Sequence, residues 1–158
     1  MNKTLVGPIL FEGYASGQYD FEPVFNQANE ETKLQFWALI DAFVLAINNP
    51  TIVYCHDVIG HSDRVDTPGL ESSARRNLEY EAAENRCARF SEFYQSILLH
   101  RIPGLTYERL IEINRNENID VIAHPKGAAK LKIDKPILTE DERKQNRRIE
   151  IYYILFNS

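Results

Sequence analysis

Thr51-Ile52-Val53-Tyr54-Cys55-His56-Asp57-Val58-Ile59 runs directly into Gly60-His61-Ser62-Asp63. β-Branched and aromatic residues dominate the first nine positions, which is the composition of a strand. The polar residues after Ile59 mark the point where strand gives way to loop. Upstream, Leu34, Phe36, Trp37, Ile40, Phe43, Val44 and Ile47 recur with helical spacing and predict a helix over residues 30–48 with one wide apolar face. Asn48-Asn49-Pro50 ends it, because proline disfavours helical geometry in the residue before it. Downstream, Ala82, Ala83, Cys87, Phe90, Phe93, Tyr94 and Ile97 form the inner face of a second predicted helix, residues 79–100, stopped by Ile102-Pro103-Gly104.

The remaining segments complete the pattern. Residues 9–14 read as a first strand and 17–23 as a loop. The polar stretch 62–78, with Pro68 and Gly69, reads as a long loop. A short helix over 106–114, a strand over 118–123, a loop or edge ribbon over 127–139, a helical turn over 140–145 and a final strand over 149–156 follow. The βαβαβ order predicts a two-layer α/β (α+β) sandwich, a mixed sheet with helices packed on one face. At 158 residues and 44% hydrophobic, the chain suits one domain spanning residues 1–158 with its core at about 9–154. No repeat or linker divides it.

Composition narrows the function. A net charge of −5 and a pI near 5.4 argue against a nucleic-acid binder, which needs a basic face. No apolar run reaches the roughly 20 residues that span a bilayer. No secretory signal is visible either, since residues 5–10 are interrupted by Gly7 and Pro8. The reading therefore leaves open a protein synthesised in the cytoplasm without export, or one lacking its targeting segment. Cys55 and Cys87 each sit inside a regular element and read as buried thiols, and Trp37 as core. Cys55, His56, Asp57, His61 and Asp63 do not read as a metal cluster, because strand alternation sends His56 to the face opposite Cys55 and Asp57. No nucleophile–base pair or paired glycosidase carboxylates can be assembled, so no catalytic residue, metal or cofactor is expected.

What remains is a recognition pattern. Asp63, Arg86 and the arginines of Asn146-Arg147-Arg148-Ile149-Glu150-Ile151 come from three separated segments, each near the end of a regular element. One carboxylate and several guanidiniums suit a ligand bearing both an amine and a carboxylate. The bland alternatives are a turn carboxylate for Asp63 and a solvated ion pair with Glu81 or Glu84 for Arg86. Alternation at the last strand allows only one of Arg147 and Arg148 to face the site; Arg147 shares the parity of Ile149, and Arg148 reads as surface, paired with a neighbouring acid.

In order and type these motifs resemble the OmpA-like peptidoglycan-binding domain family, whose pattern runs strand, G-H-T-D, loop, a helix opened by N-x-x-L-S-x-x-R-A, and a last strand with N-R-R-V-E-I. Gly60-His61-Ser62-Asp63 matches the first motif with Ser for Thr, and residues 140–151 match the last block. The middle motif departs: with Arg86 on the family arginine, Glu79, Ala82, Ala83 and Cys87 stand at the Asn, Leu, Ser and Ala positions. The 23 positions between Asp63 and Arg86 imply an insertion in the loop at about 64–78. The resemblance implies a non-catalytic module in the periplasm or cell envelope. Its ligand would be the diaminopimelate side chain of a peptidoglycan stem peptide, with the ammonium on Asp63 and the carboxylate on Arg86. Backbone N–H groups at the start of the second helix would add to the anion site. Ser62, Glu79 and Arg147 would complete the ligand-binding set. The competing implication is the same fold used as a protein-interaction component of an envelope or injection-type assembly, without glycan binding.

Overall fold

The computed structural model describes residues 3–157. Strands β1 (Lys3–Glu12), β2 (Ile52–His61), β3 (Ile119–Gly127) and β4 (Arg148–Asn157) form one sheet in the order β1-β4-β2-β3. β4 is antiparallel to both of its neighbours and β2 is parallel to β3, so the sheet is mixed, as predicted. The last strand thus lies inside the sheet. Its register pairs His61 with Arg148, which sets the end of the first motif beside the start of the last one.

Helices α1 (Phe21–Gln27), α2 (Glu30–Asn48), α3 (Ser72–Arg101), α4 (Tyr107–Ile113) and α5 (Glu140–Asn146) complete the chain. Alternation along β2 buries Ile52, Tyr54, His56, Val58 and Gly60, while Val53, Cys55, Asp57 and Ile59 on the other face are only half-buried. Gly60 lets α3 lie directly on the sheet: a Cβ there would stand 2.5 Å from the Ala83 carbonyl oxygen and 2.6 Å from Cys87 Sγ. Between sheet and helices, Phe11, Phe21, Phe36 and Phe90 pack edge to face. A fully buried Phe of this kind contributes about 1.5–3 kcal/mol. Trp37 packs, partly buried, against this cluster. None of the described helices is long and apolar enough to cross a membrane.

Several boundaries differ from the sequence reading. Residues 21–27, placed partly in a loop, form α1, whose Phe21, Val24 and Phe25 point into the core. Pro23 sits in its first turn, where a missing N–H costs nothing. The loop given to residues 62–78 ends at Glu71, and Ser72 opens a helix of 30 residues. The first turns of α3 have no apolar face to reveal them; six of the first nine residues are exposed or half-exposed polar ones. β1 begins at Lys3 rather than residue 9, with its register shifted between Val6 and Ile9. At Gly7 (φ +136°) a Cβ would meet the Ile151 carbonyl oxygen at 2.7 Å. β3 runs on to Gly127. Cys87 is buried as expected, but Cys55 is half-buried on the helix-free face of the sheet.

Candidate functional site

At the C-terminal end of β2 the chain turns away from the sheet, and α3 and α5 approach from either side. Between them lies a cleft of about 560 Å³, lined by Tyr19, Ser62, Asp63, Asp66, Glu79, Ala82, Arg86, Glu140, Arg143 and Arg147 among others. All five residues singled out from the sequence (Ser62, Asp63, Glu79, Arg86 and Arg147) line this one cleft.

Arg86 forms its floor. It is 2% exposed, not a solvated partner of Glu81 or Glu84. Its Nη1 donates to the His61 carbonyl at 3.0 Å, and its guanidinium carbon lies 5.0 Å from the Tyr14 ring centroid and 5.6 Å from that of Tyr19. Both distances suit cation–π attraction. Among the described residues Nε has no partner, and neither does the buried Ser62 Oγ. Among the described residues no carboxylate forms an ion pair with this arginine. Burial pulls its pKa down to about 10, against the attraction of Tyr14, Tyr19 and Asp63, so it remains cationic at neutral pH.

Asp63, 7% exposed, is tied into the protein by side-chain donors. Arg143 Nη1 donates to its Oδ2 at 2.5 Å and Asn146 Nδ2 to its Oδ1 at 3.0 Å. Arg147 Nη2 stands 3.9 Å from the same carboxylate. Arg143 also donates to Asp66, holding that carboxyl below its ordinary range. Asn146 further bonds both the N–H and the C=O of Ile133. It is fully buried and pins the 128–139 segment to the rear of the cleft. Arg147 donates to Glu140 at 2.6 Å and to the Tyr14 carbonyl at 3.3 Å. Glu79 Oε1 accepts from the Val65 N–H at 2.8 Å, which fixes the turn after Asp63.

Two expectations need correction. Arg148 is buried, not surface: Glu150, as foreseen, and the carbonyls of Asn146 and Lys130 hold its guanidinium. The N-terminus of α3 does not contribute to the anion site, because 14 residues at 1.5 Å rise place it about 20 Å along the axis from Arg86. Asp63 keeps its place in the cleft but is already held by Arg143 and Asn146. Arg143, Asn146, Tyr14 and Tyr19 were missed as site residues. Arg143 and Asn146 were visible in the terminal block but carried no signal separating them from surface residues. The two tyrosines enter only through the fold of the segment after β1. Among the described residues no group of three or more His, Cys, Asp or Glu side chains is arranged to hold a metal ion.

No protein-family model matches this chain, and no curated protein matches it. The solved structures similar to it include the cell wall anchor of the T6SS from Pseudomonas aeruginosa, 12% identical, covering 99% of this chain and 82% of that one at a TM-score of 0.44. The C-terminal domain of Helicobacter pylori MotB is 18% identical, with 94% and 84% covered and a TM-score of 0.41. Peptidoglycan-associated lipoprotein from Burkholderia pseudomallei is 12% identical, with 91% and 88% covered and a TM-score of 0.42. The chain is similar to these proteins, and likeness at this level carries no argument about what it binds.

Proposed function

We propose that this domain is a non-catalytic peptidoglycan-binding module that anchors a protein or assembly to the bacterial cell wall, and that its cleft takes the diaminopimelate head group of a stem peptide. The observation that carries this reading is Arg86: a buried guanidinium with an unused donor and, among the described residues, no ion-paired acid, at the floor of a cleft whose walls bear Asp63 and Glu79. Desolvating a guanidinium is costly unless its donors are used, and a ligand carboxylate would use them with two parallel bonds. The acidic walls supply acceptors for the ammonium on the same carbon. The resemblance of residues 60–63 and 146–151 to the OmpA-like family supports the same ligand. Such a role belongs in the cell envelope.

The test is sedimentation of the purified protein with insoluble cell wall. The parent is expected in the pellet, and Arg86→Ala and Asp63→Ala in the supernatant, each by roughly ten-fold or more in affinity, since an uncompensated charge remains in either case. Folded variants that pellet like the parent would remove the head-group reading. A second reading, a protein-interaction component that keeps the fold without binding glycan, is favoured by one observation: Arg143 already occupies Asp63. A parent protein that stays in solution would select it.

A further inference from the structure

Asp63 has three cationic or amide donors around it and is nearly inaccessible. Glu79 lines the same cleft and is only half-buried. One of its oxygens is anchored by the Val65 N–H; the other makes no hydrogen bond among the described residues. On α3, positions 79, 82 and 86 share one face, because seven residues make nearly two turns. Helical side chains lean toward the N-terminus, which is the direction from Arg86 in which Glu79 lies on this face. Ala82 lies between them with only a methyl group, and all three line the cleft. The stripe therefore presents a carboxylate, a gap and a guanidinium in sequence, and Ser62, whose hydroxyl has no partner among the described residues, lines the same cleft.

Resting on the head-group reading above, we propose that Glu79 takes the ligand's ammonium and Arg86 its carboxylate, across the gap left by Ala82. Asp63 is then a positioning residue that holds Arg143 and Asn146 at the rear of the cleft. Glu79 is the specificity-determining carboxylate of the site.

Titration calorimetry with free meso-diaminopimelate and with pimelate, which has the same carboxylates and no amines, separates these roles. The parent is expected to prefer diaminopimelate by roughly ten-fold, the worth of one charge-assisted hydrogen bond. Glu79→Gln is expected to erase that preference while still binding both compounds; Asp63→Asn is expected to weaken both alike and keep the preference. Arg86→Ala should lose both compounds. Ala82→Leu, which fills the gap without removing a charge, should also abolish binding of both. A Glu79→Gln protein that keeps the preference, an Asp63→Asn protein that loses it, or an Ala82→Leu protein that binds like the parent overturns the assignment. If Arg86→Ala binds like the parent, or the parent binds neither compound, the head-group reading itself falls.

Discussion

Two buried titratable residues show how this fold handles charge. Arg86 stays charged because aromatic faces and a carbonyl replace part of its lost hydration. His56 stays neutral because, among the described residues, no charged group offsets its burial. It is fully buried in the helix-facing side of β2, with Tyr54 Oη 2.7 Å from its Nδ1 and the Tyr94 ring edge-on at 5.1 Å. Burial pulls its pKa down to about 3. The unfolded chain therefore takes a proton below pH 6.5 that the folded one refuses until about pH 3. Stability is fully present above that unfolded value and is lost as pH falls, by about 1.4 kcal/mol per pH unit from this residue. His61, lowered to about 4 by burial and then by Arg148, acts in the same direction. Urea unfolding at pH 7 and pH 5 is expected to show the loss, and His56→Asn to show a shallower pH slope. A parent whose midpoint does not move between these pH values would contradict it.

At the scale of elements, the contact of α3 with β2 is what brings Arg86 to the end of the strand. That contact depends on a single missing side chain. Gly60→Ala would drive a methyl group into the Ala83 carbonyl and Cys87 Sγ, and the helix cannot yield without leaving the sheet. The expected cost is about 1–3 kcal/mol, read as a lower denaturant midpoint with unchanged slope, together with a weaker form of the proposed cell-wall binding because Arg86 moves with the helix. α5 is positioned by local chemistry instead. Thr139 and Glu142 form a reciprocal capping box at its start, and this needs no tertiary contact.

Across the whole molecule, Asn146 ties together three stretches that are far apart in the chain: the end of β2 through Asp63, the 128–139 segment through Ile133, and the junction of α5 with β4. Asn146→Ala would leave a half-buried N–H, a half-buried C=O and part of a buried carboxylate without this partner. A loss of about 2–4 kcal/mol is expected, since each orphaned group costs about 1–3 kcal/mol less what water can recover. Chemical unfolding measures it. Asn146→Asp, which keeps shape but adds a second acid against Asp63, is expected to be destabilised at pH 7 as well.

Much of this protein was legible in local pattern. The switch from helical spacing in residues 34–47 to the β-branched run 51–59 determined element types and the mixed α/β class, because burial of one face imposes those periods whatever the partner. Gly60-His61-Ser62-Asp63 and the terminal block marked where the candidate site lies. Helices lacking an apolar stripe stayed hidden: the polar first turns of α3 read as loop, and α1 was too short for its three apolar residues to establish a period. What tertiary structure alone decided was the state of each charge. The register of β4 against β2 sets Asp63 beside Arg143 and Asn146 and buries Arg148, while the fold of the segment after β1 lays Tyr14 and Tyr19 against Arg86. Whether a carboxylate is satisfied or open depends on donors eighty residues away, and no periodicity along the chain records that distance in space.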